Sequence, residues 1–471
     1  MSVKIGDDFM VTDQQKTALE QLDAVIEQFV THIDDFKKNP SDFTRNRKLD
    51  IVTLIKVVLN MQGQSLNTEM INAFPEVDER PSESALEQQK AKLTHEMFQY
   101  ILKKYNETLT EHNLYNDKYM ILAIDGSDFN PPYQSKSKYA TNYQTGRPRN
   151  DGEPVKPYSQ MHCNLLYNVT DRYYEDCIIQ PKSEADERGA AFDMLHRFRS
   201  DVPYIVLFDR GYDGFNMIEN CNRLNDDGYY VIRTKAGNGG IKEIAELPDK
   251  ECDVEMEFEV VTSNQYYVDN HKDNPYLHYV NSPKKHHKKY YSPNTKNQRW
   301  DFGWRTEIKC RVCKFRINNP DTGKQEWEVL LTNLNRFEFP LKKMKELYHK
   351  RWDIEVSFRE LKYAIGGVQF HSRKDDFVEM EVYAHLIMFN AVSRNINAVK
   401  VPQSDERKYE YVVSFKDAVT LTRNYYRLYC KSPPDRIYAE MLSYTRPVVS
   451  GRQDKRNMKP KSAVWFVYRV A

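Results

Sequence analysis

The sequence predicts an α/β protein: a mixed sheet, interrupted by a β-rich insertion and flanked by helical regions at both ends. Three observations predict it. From Met1 to about Asn113 the apolar residues recur only at helical spacing. From about Lys118, apolar strand-type runs begin to alternate with helical ones. Between about Ala236 and Trp327 that alternation gives way to short β-type pieces separated by polar turns. These shifts divide the chain into residues 1–113, 114–235, 236–327, 328–400 and 401–471.

In the first region, "QQKTALEQLDAVIEQFVTHI" spaces Leu19, Leu22, Ile26 and Phe29 along one helix face. In "DFTRNRKLDIVTLIKVVLNMQGQSLNTEMINAF", Arg45, Arg47 and Lys48 precede an apolar helix, and the Gly63–Ser65 turn leads to a second, shorter helix. That is the outline of a helix-turn-helix module, and equally of a helical hairpin that packs on the rest of the chain. "KYMILAID" then begins the sheet, followed by strands at "SQMHCNLLYNV" and "YYEDCIIQ" and a helix at "ADERGAAFDMLHRFRSD". "YIVLFD" is a buried strand, "RGYDGFNMIENCNRLN" a loop and helix, and "GYYVIRTK" a further strand.

The insertion contributes β-type pieces at "DVEMEFEVV", "QYYVDN", "LHYVN" and "EIKCRVCKFRI". It also holds the densest basic and aromatic cluster of the chain, "SPKKHHKKYYSPNTKNQRWDFGWR". "EWEVLLTNL" resumes the sheet, Lys342–Gly366 reads as one helix, and "MEVYAHLIMFNAVSRNI" as a long apolar one. The last region is helical and amphipathic and ends in a basic tail.

Bulk composition narrows the function. The 471 residues are 40% hydrophobic and 29% charged, which excludes a disordered chain. Net charge is +1, so any nucleic-acid surface must be local. No signal pattern or long apolar run is present, and a soluble, cytoplasmic protein is expected. Seven scattered Cys suit reduced thiols. Cys310 and Cys313 form a CxxC on a strand, which points the two thiols to opposite faces and makes them structural.

Three carboxylates stand out. Two apolar strands end in Asp, "ILAIDGS" at Asp125 and "YIVLFDRGY" at Asp209. A carboxylate there is costly unless it meets a cation, a proton or hydrogen bonds, though a helix cap or turn can satisfy one. Ligand sites of α/β sheets favour such strand ends. The third is Glu355, in "YHKRWDIEVSFRELK". On a regular helix Tyr348, Arg351, Glu355 and Lys362 share an arc of about 60°, bordering the apolar face. An Arg351–Glu355 ion-pair ladder accounts for that stripe equally well. Three converging carboxylates can hold two Mg²⁺ ions, with Mn²⁺ able to substitute, for an in-line phosphodiester displacement.

The blocks "IDGSD", "FDRGYDGFNMIE" and "YHKRWDIEVSFRELK" resemble the three blocks of bacterial DDE transposases of the insertion sequence four family. That family's signature is Tyr, two residues, Arg, three residues, Glu, six residues, Lys, and Tyr348, Arg351, Glu355 and Lys362 reproduce it without a gap. The resemblance implies an RNase-H-like core divided by the insertion. It also implies a cut-and-paste transposase that cleaves transposon ends and joins them to target DNA, with Asp125, Asp209 and Glu355 as the metal-binding triad. Asp128 rivals Asp125; Asp125 directly ends the apolar run and is followed by Gly-Ser, as the block requires.

By the same resemblance Tyr348, Arg351 and Lys362 hold DNA phosphates, with Arg210 beside them in the Asp-Arg-Gly-Tyr block. A Trp of the insertion stacks on a flipped base, for which Trp300 and Trp304 are the candidates. Lys284, Lys285 and Lys288 of the insertion, and Arg45 and Arg47, are further DNA candidates. Double-stranded DNA is the implied partner, and pairing two ends requires a homodimer in the complex, acting at the bacterial nucleoid. The competing readings are a domesticated, non-catalytic DNA-binding protein and another RNase-H-like metal-dependent nuclease; the complete triad speaks against the first, and the full signature with its insertion against the second.

Overall fold

Helical spacing and local caps produce five α-helices in the N-terminal region: α1 (Ala18–Phe29), α2 (Ile51–Asn60), α3 (Leu66–Ala73), α4 (Glu83–Lys90) and α5 (Glu96–Asn106). Thr17 and Glu20 close the first turn of α1 reciprocally, and Asp50, Ser65 and Ser82 each accept an amide at the start of the next three. The computed structural model describes residues 17–45, 47–141, 157–225, 227–237, 240–280, 299–318, 323–404, 407–430 and 432–449.

The core follows as β1 (Met120–Phe129), β2 (Met161–Asn168), β3 (Tyr173–Pro181), α6 (Glu187–Arg197), β4 (Tyr204–Phe208), α7 (Phe215–Asn222) and β5 (Gly228–Thr234). The inserted region forms α8 (Lys242–Ala245), β6 (Cys252–Val261), α9 (Asn264–Asn270), β7 (Leu277–Tyr279) and β8 (Arg305–Asn318). The core resumes with β9 (Gln325–Thr332), α10 (Leu341–His349), α11 (Trp352–Arg359) and α12 (Asp375–Ala398). β10 (Tyr411–Val413), α13 (Phe415–Tyr425), α14 (Pro434–Met441) and β11 (Thr445–Pro447) complete the described chain.

Nine strands form one mixed sheet in the order β3-β2-β1-β4-β5-β9-β8-β6-β7. β1, β4 and β5 run parallel, joined through α6 and α7, while β2 and β9 are antiparallel to their neighbours. This β3-β2-β1-β4-β5 block is the expected RNase-H-like core. Alternation divides β1 and β4 cleanly. Ile121, Ala123, Ile205 and Leu207 join the core shared with α10, α11 and α12, whereas Leu122, Ile124, Val206 and Phe208 join the core shared with α6 and α7. Cys310 and Cys313 likewise fall in opposite cores, and burial pushes both thiols up to about 12.

Two local expectations are corrected. "QYYVDN" is α9, not a strand: the Ser263 hydroxyl accepts the Tyr266 amide at 3.3 Å and starts a helix that overrides the aromatic β preference. The strands of the insertion continue the core sheet, because β8 pairs with β9 and carries it on into β6 and β7. Lys342–Gly366 is not one regular helix. It tightens at Lys350 and Arg351, whose amides reach back three residues to Leu347 and Tyr348, and then loosens into a π-helical turn over Glu360–Ala364.

α12 is the centre of the helical layer, buried continuously from Phe377 to Asn395. α1, α2 and α5 pack on it from the N-terminal region, α13 from the C-terminal one, and β3 from the sheet. The turn between α2 and α3 docks on the segment after the π turn: a Cβ at Gly63 would lie 1.2 Å from the Gln369 Oε1, so a larger residue there would displace the Gln369 amide. α2 and α3 thus form two helices joined by a short turn, and α2 is packed against α12, as a helical hairpin on the rest of the chain would be.

Candidate active site

Parallel pairing of β1 with β4 aligns Ile124 with Phe208. Asp125 and Asp209 are the next residues on the two strands, so they stand side by side where neighbouring strands are about 4.8 Å apart. Alternation turns both toward the face covered by α10 and α11, because they follow the phase of Ala123 and Leu207.

The two carboxylates are poorly satisfied by their own chain. Asp125 accepts the Gly126 amide at 2.8 Å. Burial pushes its pKa up to about 6, and the charges of Asp209 and Glu187 add to that, against the Gly126 amide and the Arg351 cation. The Asp209 Oδ1 is buried and accepts no hydrogen bond among the described residues; the Arg233 Nη1 stands 3.9 Å from it.

The facing helices bring the signature residues to the same strand ends. Tyr348, on the last turn of α10, donates its hydroxyl to the Phe208 carbonyl at 3.2 Å, one residue before Asp209. Arg351 is 2% exposed and donates through Nη2 to the Glu355 Oε1 at 2.9 Å. Its Nε and Nη1 groups are buried with no acceptor among the described residues. Burial alone would lower the Arg351 pKa, but Tyr348, Asp209 and Glu355 outweigh it and hold the guanidinium charged. Lys362, carried by the π turn, donates to the Asp128 carbonyl at 2.8 Å with its amine over the Phe129 ring. The expected polar stripe thus faces the two Asp-bearing strands, and the ladder pair Arg351–Glu355 is part of it rather than an alternative to it.

The remaining expected residues are dispersed. Arg210 is exposed beside Asp209. Asp128 points to the other face of the sheet, where its Oδ1 meets the His162 Nδ1 at 2.5 Å and the Lys182 Nζ at 2.9 Å. Trp300 packs partly into the core shared with α6 and α7 and donates its indole N–H to the Gly303 carbonyl at 2.8 Å. Trp304 is 57% exposed, edge-on to Tyr266. Arg45 and Arg47 are exposed ahead of α2. Lys284, Lys285 and Lys288 lie outside the described residues.

Sequence reasoning missed Arg188, Arg233 and Glu328. Arg188, on α6, donates to the Gly211 and Asp213 carbonyls at 2.9 and 2.7 Å and so fixes the loop after Asp209. Arg233 bridges Asp209 and Glu328, its Nε 3.1 Å from the Glu328 Oε1. The only available signal was charge inside otherwise regular α6, β5 and β9.

Among the described residues, no three His, Cys, Asp or Glu side chains are gathered as ligands of a single ion. The donor set nevertheless fits a hard divalent cation. It consists of carboxylate oxygens, one of them buried without a hydrogen bond, and Mg²⁺ binds through one or two carboxylates while keeping several waters. Asp125 and Asp209 form one such pair, with Glu355 across from them beside Arg351.

A sequence model described as a transposase DDE domain matches residues 116–391, from just before β1 to within α12. No curated protein matches the chain. Among solved structures, a piggyBac transposase in a synaptic complex with hairpin DNA is similar at a TM-score of 0.45 and 8% identity, over 95% of this chain and 89% of that one.

Proposed function

Because this chain belongs to the family of transposase DDE domains, we propose that it is a cut-and-paste DNA transposase of the insertion sequence four type, which cleaves phosphodiester bonds at transposon ends and joins the 3′ ends to target DNA. The observation that carries this reading is the register of β1 on β4, which brings Asp125 and Asp209 together opposite the Arg351–Glu355 pair. Asp125, Asp209 and Glu355 would hold two Mg²⁺ ions, with Mn²⁺ as a substitute. The chemistry such ions supply when bound is activation of a water or 3′-hydroxyl and stabilisation of the leaving oxygen.

The chain's own residues do the positioning. Tyr348 ties α10 to β4, and Lys362 ties the π turn to β1, so Glu355 is held between two anchors. Arg351 orients the Glu355 carboxylate and keeps two further N–H groups for an anionic oxygen. Arg210, Arg351, Lys362 and Tyr348 are the proposed phosphate contacts, and exposed Trp304 is better disposed than Trp300 to stack on an unpaired base. The proposed partners are double-stranded DNA and a second copy of the chain, in the bacterial cytoplasm at the nucleoid.

The test is incubation with the DNA that flanks its coding sequence and Mg²⁺, comparing wild type with Asp125→Ala, Asp209→Ala and Glu355→Ala. Discrete end cleavage should fall about 10³-fold or more in each variant, several kcal/mol of transition-state stabilisation. Full activity in Glu355→Ala would mean that the triad is wrongly assigned. Cleavage of arbitrary DNA without end preference would favour a general nuclease.

A further inference from the structure

Glu187 opens α6, on the face of the sheet opposite to α11. Its carboxylate nevertheless reaches the site. A Cβ built on Gly126 would lie 3.3 Å from the Glu187 Oε1, and one on Gly211 would lie 3.8 Å from the Oε2. Gly126 follows Asp125 directly and Gly211 is two residues beyond Asp209. Glu187 therefore stands between the two Asp-bearing turns, approaching from the back of the sheet where β1 carries no side chain.

His162 holds it there. This residue of β2 is 2% exposed, pairs with Asp128 across the ladder, and places its Nε2 3.1 Å from the Glu187 Oε1. The Asp128 Oδ1, 2.5 Å from Nδ1, fixes the ring from the other side. The ring fills the space over Gly126, where a Cβ would come within 2.3 Å of Nε2. Burial alone would lower the His162 pKa; the hydrogen bond to Asp128 and the adjacent Glu187 carboxylate outweigh it and raise it to about 9. At neutral pH the pair is an imidazolium and a carboxylate whose side chain is 42% exposed.

We propose that Glu187 is a fourth carboxylate of the divalent-ion site, accepting hydrogen bonds from the water ligands of the ions, and that His162 is its positioning residue. This rests on the ion-site reading of Asp125 and Asp209. Such an outer carboxylate orients bound water and adds negative charge that draws the ion in, while needing no third ligand at one point. Gly126 and Gly211 are then the openings that let the site be assembled from both faces of the sheet.

The experiment measures Mn²⁺ binding to the full chain by calorimetry, and thermal unfolding in chelator, for wild type, Glu187→Gln, His162→Gln and, as reference, Asp209→Asn. Glu187→Gln should weaken Mn²⁺ binding about tenfold, with an unchanged or lower unfolding midpoint in chelator because buried His162 loses the carboxylate beside it. His162→Gln should weaken binding by a smaller factor. Mn²⁺ affinity within about twofold of wild type in Glu187→Gln, alongside clear loss in Asp209→Asn, overturns this inference and leaves the triad standing. Wild-type affinity in Asp209→Asn as well overturns the ion site itself, and this inference with it.

Discussion

Glu381 and Asp125 are both carboxylates withdrawn from water, and their surroundings push them in opposite directions. Glu381, on α12, is 1% exposed and accepts the His371 amide at 2.9 Å, the His371 Nδ1 at 3.0 Å and the Lys90 Nζ at 3.4 Å. Burial alone would raise its pKa; Lys90 and His371 outweigh that and pull it down to about 2. Asp125 has one amide of its own chain, and burial together with Asp209 and Glu187 pushes it up to about 6. The first cluster satisfies its carboxylate completely and staples α4 to α12. The second leaves capacity over, which is what a site for a cation requires and what a stable fold disfavours.

The largest test of this contrast is Lys90→Met. It leaves Glu381 short of its cation and should cost about 3 kcal/mol in urea unfolding at pH 7; a loss below about 1 kcal/mol would erase the distinction. The pH arm has a definite sign. The folded pKa of Glu381 lies below its ordinary 4.5, so its contribution is present above pH 4.5 and lost as pH falls toward 2. The acid-side decline in stability should be shallower in Lys90→Met than in wild type.

Asp125→Asn should move the other way. A carboxyl raised from 3.8 to about 6 favours folding only below pH 3.8, and that contribution is lost as pH rises through about 6. In chelator at pH 7 the variant should be more stable by about 2 kcal/mol, with the gain gone near pH 4, while DNA cleavage is abolished. Destabilisation at pH 7 would break the comparison.

The smallest effect concerns the two tryptophans. Trp300 has its N–H and part of its ring satisfied within the protein, so Trp300→Ala should cost about 1 kcal/mol of stability. Trp304→Ala should change stability by less than about 0.5 kcal/mol, and thermal melts of both variants distinguish them. Equal losses would remove the basis for preferring Trp304 as the stacking residue.

Asp125 and Asp209 were legible in the sequence because each ends an apolar run, and strand ends are where α/β sheets open. The signature spacing made Glu355 legible too. Glu187 and His162 were not, since a Glu in a first helical turn looks like an ordinary response to the helix dipole, and a His inside a strand has no partner until β2 is paired with β1. The cluster around Glu381 draws Lys90, His371 and Glu69 from three distant segments, so no local pattern announces it. The interruptions at Lys350 and the π turn were missed because helical periodicity averages over a turn gained or lost. The union of insertion and core sheet depends on β8 choosing β9 as its partner, a pairing that composition does not encode.

The central position of α12 bears on how the protein is made. α1, α2 and α5 emerge from the ribosome early, yet the helix that covers their apolar faces spans residues 375–398. At about 5–20 residues per second, those faces wait on the order of tens of seconds for their partner. The N-terminal module must spend that interval as an incompletely packed nascent chain, a natural client for chaperones, and Glu355 cannot meet Asp125 and Asp209 before about three quarters of the polypeptide has been translated.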